Sequence, residues 1–173
     1  MHWAGHAKEG LYDPAFEHDA CGVGFVVDIK GRQSHTIVTQ ALTILKNLMH
    51  RGACGCEVNT GDGCGLLLQM PHGFLARECA KLGINLPALG HYGAGLVFLP
   101  RDPAQARVCR DRFEAIISEE GQRVLGWRTV PADDTLIGAS AQAVEPSFRQ
   151  VFIGRSMEIS DEAAFERRLY VIR

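Results

Sequence analysis

Residues 20–29 read Ala20-Cys21-Gly22-Val23-Gly24-Phe25-Val26-Val27-Asp28-Ile29, and in them Val23, Phe25, Val27 and Ile29 alternate with Gly24, Val26 and Asp28. Alternation of this kind is the side-chain period of a strand, so the segment predicts a β-strand with a thiol at its first position. Gly22 and Gly24 leave the backbone beside that thiol uncovered. Glycine within a strand weakens it and often marks the close approach of a ligand. Two readings of Cys21 stay open on these residues alone. One is a reactive cysteine at the head of a strand; the other is a buried thiol in a core strand, since free cysteine is among the most buried residue types.

Downstream, Lys30-Gly31-Arg32 predicts a turn, and Ser34 is placed to cap a helix carrying Ile37, Val38, Ala41, Leu42, Leu45, Leu48 and Met49 at helical spacing, stopped by Gly52. Gly52 to Gly65 is a glycine-rich polar connection whose length favours function or mobility over simple linkage. Leu66 to Met70 predicts a short strand. Pro71 opens a helix through Leu82 with Phe74, Leu75, Cys79 and Leu82 facing inward and Gly83 as its stop. Ala94 to Leu99 is a predicted strand, Asp102-Pro103 the cap and first turn of a helix to about Glu120, and Arg123–Val130 and Val151–Ile153 two further strands. On the middle helix Ala106, Cys109, Phe113, Ile116 and Ile117 share a face. Ser160-Asp161-Glu162 caps a last helix bearing Phe165 and Leu169. Strands alternating with amphipathic helices predict a layered domain whose sheet faces are covered by helices.

The composition narrows the function classes. In 173 residues there are 46% hydrophobic and 22% charged residues, which is the balance of one globular domain rather than of a disordered or membrane-embedded chain. Lys and Arg number 18 against 20 Asp and Glu, and the basic residues cluster only at Arg107, Arg110 and Arg112, so nucleic acid is not an expected partner. Residues 1–20 lack the basic and apolar regions of a signal peptide. Without a secretory context, Cys21, Cys54, Cys56, Cys64, Cys79 and Cys109 read as reduced thiols of a cytoplasmic protein rather than as a disulfide framework.

The densest chemical segment runs from His50 to Gly65: His50-Arg51-Gly52-Ala53-Cys54-Gly55-Cys56-Glu57-Val58-Asn59-Thr60-Gly61-Asp62-Gly63-Cys64-Gly65. His50, Cys54, Cys56 and Cys64 contain metal-ligand types, but Cys54 and Cys56 have a single residue between them, against the two to four of structural zinc pairs. Arg51 has two readings: a guanidinium fixed beside a nucleophile or an anionic substrate, and a cation at a helix C-terminus favoured by the macrodipole.

Cys21-Gly22-Val23-Gly24-Phe25, the helix from Ala41 to His50, His50-Arg51-Gly52-Ala53 and Thr60-Gly61-Asp62-Gly63, in this order and spacing, resemble the amino-terminal glutaminase domain of the glutamate synthase large subunit, a class II glutamine amidotransferase. The resemblance is continuous from about Asp13 to Phe74 and weaker beyond, and Cys64 departs from it where the family more often has alanine. It implies an α+β N-terminal-nucleophile fold, a four-layer αββα sandwich, incomplete here at its C-terminus. It also implies that residues 1–20 are a leader removed in maturation and that 21–173 are the front of the amidotransferase domain. Cys21 would be the nucleophile and Arg51 a residue ordering the loop beside it; Asp62 matches a family loop residue without an assigned role.

The resemblance further implies glutamine as substrate, and partners in the remainder of the large subunit and in a small subunit or ferredoxin. FMN and an iron–sulfur cluster would sit in later domains, with no cofactor or metal bound by this chain. Family members place an Asn-Gly pair in the oxyanion hole, whereas Asn47, Asn59 and Asn85 are followed by Leu48, Thr60 and Leu86. The chain by itself is therefore expected to be incompetent. The alternative of a different class is a non-catalytic binding or assembly module with the same fold, and a cysteine-based metal or redox module is the third.

Overall fold

The computed structural model of the chain describes residues 22–48, 57, 59–61 and 63–173. They fall into two compact units, Met1–Leu67 and Leu68–Arg173.

In the first unit the regular element is α1 (His35–Asn47). Its start is where the sequence placed it: the Ser34 hydroxyl accepts from the Thr36 N–H at 3.1 Å, satisfying a donor that the first turn would otherwise orphan. The described helix ends at Asn47 with Leu48 as its cap, while the expected stop at Gly52 lies outside the described residues. Before α1 the chain turns at Asp28. Its carboxylate accepts from the Lys30 N–H at 2.8 Å and from Arg32 Nη2 at 2.9 Å, and Gly31 takes the positive φ of 68° that closes the turn.

Of the predicted strand from Cys21 to Ile29, the described residues 22–29 form no strand. Residues 22–28 carry no regular secondary structure, and Val23, Phe25, Val27 and Ile29 are exposed. Alternation specifies which side chains share a face, but a strand exists only where a second backbone accepts its hydrogen bonds, and the described residues supply none here. The same reason removes the predicted strand at 66–70, which is also irregular.

The second unit is built on a three-stranded antiparallel sheet in the order β1-β3-β2, from β1 (Tyr92–Leu99), β2 (Arg123–Thr129) and β3 (Ser147–Gly154). β3 is central, so its side chains are covered on both faces, and Val151, Phe152 and Ile153 are all buried. Phe152 points into one cluster with Tyr92, Leu75 and Cys79, the last two from α2 (His72–Ala80). Val151 and Ile153 point to the opposite side. They pack with Ile117 of α3 (Pro103–Glu119) and with Ile172 of α5 (Glu162–Ile172). Each fully buried Phe, Ile or Val contributes about 1.5–3 kcal/mol of transfer free energy, so this double-sided strand is the stability centre of the unit.

Caps behave as read: Asp102 accepts from the Gln105 N–H at 2.8 Å and Asp161 from the Ala164 N–H at 2.7 Å. Three inward assignments need correction. Phe74 and Leu82 are largely exposed while Leu75 and Cys79 carry the buried stripe of α2, and on α3 the burial is at Ile117, with Cys109 exposed. The short helix α4 (Ala139–Val144), which has no buried residue, is an element the periodicity did not announce. The architecture is α+β.

Candidate active site

The residues to which the sequence assigns chemistry, Cys21 and Arg51, lie outside the described residues, as do His50, Cys54, Cys56 and Asp62. The geometry on either side of them is described. The segment leaving Cys21 meets α1 at Gly24, where an added Cβ would fall within the van der Waals envelope of Ile44 Cγ2 and 3.7 Å from Ile44 Cβ. Gly24 is thus a close-approach glycine, as its place in the sequence suggested, but what approaches it is a helix side chain. Ile44 lies near the C-terminal end of α1, the helix that leads toward Arg51.

In the glycine-rich connection, Thr60 closes a turn onto Glu57: its N–H donates to the Glu57 carbonyl at 3.1 Å and its hydroxyl to Glu57 Oε2 at 2.8 Å. A side chain tied at both backbone and hydroxyl holds the residue entering Gly61-Asp62-Gly63 in one rotamer. Among the described residues nothing lies within 4 Å of a Cβ added at Gly63 or Gly65.

The other described thiols differ sharply in environment. Cys64 and Cys109 are exposed, whereas Cys79 is fully buried beneath the sheet. Burial pushes the Cys79 thiol above its ordinary pKa, and the nearby Arg128 guanidinium offsets this only in part. A buried neutral thiol is a packing group rather than a nucleophile. Tyr92, also raised by burial, meets the His72 imidazole at 3.0 Å and so keeps a polar partner inside the cluster. Among the described residues no three His, Cys, Asp or Glu side chains converge as a metal site would require. None of the described helices is long and apolar enough to cross a membrane.

Residues 21–173 match the family model of the class-II glutamine amidotransferases. The chain belongs to that family. It is 49% identical over 165 residues to the large chain of the NADPH glutamate synthase of Bacillus subtilis, covering 95% of this chain and 11% of that protein. Over 178 residues it is 39% identical to the NADH glutamate synthase of Schizosaccharomyces pombe, covering 99% of this chain and 8% of that one. The ferredoxin-dependent glutamate synthase 2 of Synechocystis is 35% identical over 157 residues, with 91% of this chain and 10% of the relative covered. The chain therefore spans about a tenth of the length of these relatives.

Proposed function

We propose that this chain is the nucleophile-bearing part of the glutaminase domain of a glutamate synthase, and that it releases ammonia from glutamine through a thioester on Cys21. The observation that carries the reading is the extent of the family match, which begins at Cys21 itself and runs through residue 173. That starting point also supports removal of residues 1–20 as a leader, so that Cys21 supplies both thiol and α-amine.

An α-amine with a pKa of about 8 accepts the thiol proton near neutral pH without a histidine partner. The thiolate then adds to the γ-carbonyl of glutamine. Collapse breaks the C–N bond, and the leaving nitrogen takes the proton from the α-amine to depart as ammonia. Water hydrolyses the thioester to glutamate and restores the thiol. In this reading Arg51 orders the loop beside the nucleophile. The described residues form one sheet with helices on both faces; the four-layer αββα sandwich is the architecture we propose for the intact domain.

The ammonia would be consumed elsewhere in the longer protein, on 2-oxoglutarate, with FMN and an iron–sulfur cluster held there and reduced through a small subunit or ferredoxin. We place the reaction in the cytoplasm. The 173 residues contain no Asn-Gly pair, and one missing oxyanion-hole donor lowers turnover by about 100- to 1,000-fold, so we expect the isolated chain to be a poor glutaminase.

The test is glutamine hydrolysis by the full-length gene product and its cysteine variants. Cys21→Ser should abolish ammonia release, because a hydroxyl is a far weaker nucleophile than a thiolate. Serine at Cys54, Cys56, Cys64, Cys79 or Cys109 should leave most of it. Full activity in Cys21→Ser would favour a non-catalytic binding or assembly module, and loss in Cys54→Ser with Cys21 intact would move the nucleophile.

A further inference from the structure

Several glycines of the chain are approached closely by side chains, and the approaching atom distinguishes them. At Gly93 an added Cβ would lie 2.6 Å from Leu169 Cδ1, and at Gly126 it would lie 2.6 Å from Ile84 Cδ1. The Leu169 methyl swings away by rotation about side-chain bonds; at Gly126 the Ile84 Cγ1 methylene also stands at 2.7 Å, but Ile84 belongs to no helix and can shift with its loop. At Gly24 the obstacle is Ile44 Cγ2, a methyl on the β-carbon of a helical residue. A β-branched side chain in a helix is confined essentially to one χ1 rotamer, so this methyl moves only if α1 moves. The segment holding Gly24 is irregular and makes no strand pairing among the described residues. Of the two partners, it is the segment that would yield.

We infer that Gly24 is a positioning residue for the Cys21 nucleophile: it seats the chain leaving Cys21 directly on the rigid Ile44 methyl of α1, and that seat sets the reach of the thiolate toward the substrate amide. The inference rests on the glutaminase reading above and adds to it a named contact that neither touches substrate nor titrates. A Cβ at residue 24 needs an ordinary carbon–carbon separation of about 3.5–4.0 Å, which displaces the segment on the order of 1 Å. A misplacement of about 1 Å between reacting groups lowers rate by about 100-fold. The defect should fall on turnover rather than on binding.

Size exchange across the contact separates positioning from general damage. Leucine at residue 44 keeps the volume of isoleucine but has no methyl on its β-carbon, and volume-conserving exchanges of this kind are well tolerated. In the full-length gene product, Gly24→Ala should lower kcat for glutamine hydrolysis about 100-fold while changing KM by less than about 3-fold. It should slow alkylation of Cys21 by a diazoketone analogue of glutamine to the same extent. Ile44→Leu alone should stay near wild type, and the double variant Gly24→Ala/Ile44→Leu should recover most of the loss.

Wild-type rates in Gly24→Ala, or a double variant no faster than Gly24→Ala, would overturn the inference while leaving Cys21 as nucleophile. If Gly24→Ala does not fold, the double variant decides: soluble and reactive supports the seat, insoluble or unreactive overturns it. Wild-type protein that neither hydrolyses glutamine nor labels at Cys21 would overturn the glutaminase reading, and this inference with it.

Discussion

The guanidinium of Arg128 lies over the ring of Phe74, 5.9 Å from its centroid, and this one side chain of β2 ties the sheet to α2. Arg128 Nη1 also donates to Gln150 Oε1 at 3.3 Å, and Nη2 stands 3.9 Å from Glu78 Oε2. The Arg128 side chain is only 12% exposed, although Phe74 and Glu78 keep contact with solvent, so the set is worth somewhat more than a fully exposed pair.

Arg128→Leu should therefore lower the stability of the chain by about 1–2 kcal/mol, and Arg128→Lys should recover little, because an ammonium lacks the planar fork that stacks and donates at once. Thermal denaturation of the purified chain measures this. Equal melting temperatures for Arg128→Lys and wild type would show that only the charge matters.

Thiol accessibility should follow burial. A maleimide at neutral pH should modify Cys64 and Cys109 in native protein and spare Cys79 until denaturant is added, because Cys79 has no exposed surface and burial raises its pKa. Peptide mass mapping before and after denaturation reads the outcome. Native-state labelling of Cys79 at the rate of Cys64 would contradict the packing of α2 on the sheet.

The acid response has a definite sign. Asp28 is held below its ordinary pKa by its hydrogen bonds from Arg32, and Glu78 by its hydrogen bond from Lys81. A carboxylate depressed in the folded state stabilises fully above its unfolded pKa of about 4, and that contribution is lost as pH falls from there through the folded value. Asp28→Asn and Glu78→Gln should each flatten the fall of melting temperature below about pH 4.5, by small amounts, since both carboxylates face solvent. Variants that melt in parallel with wild type across that range would show that these pairs carry no pH-linked stability.

Local chemistry was legible in the sequence to the extent that it is local. Ser34, Asp102 and Asp161 each cap the helix they were expected to cap, because a side-chain oxygen and an N–H two or three residues on need no distant partner. Val23 to Ile29 shows the limit. Its alternation is as regular as that of a strand, yet pairing depends on another backbone, which periodicity does not report. Likewise Phe74 and Leu75 are equally apolar neighbours, and only the position of Tyr92 and Phe152 decides that Leu75 is the one buried. For the site, Cys21 and Arg51 are assigned through ordered motifs, and both lie outside the described residues. Gly24 was legible as a close-approach position, but not the identity of Ile44 as its neighbour, since that contact spans the turn at Asp28 and most of α1.

We propose Cys21, freed of residues 1–20, as the glutamine nucleophile. The measurement that reaches it most directly is the mass of the amino-terminal peptide of active full-length enzyme, before and after inactivation by a diazoketone analogue of glutamine. The expected peptide begins at Cys21 with a free α-amine and gains one equivalent of the analogue on its sulfur as activity is lost. Active enzyme that retains residues 1–20, or inactivation with the adduct on any other residue, would contradict it.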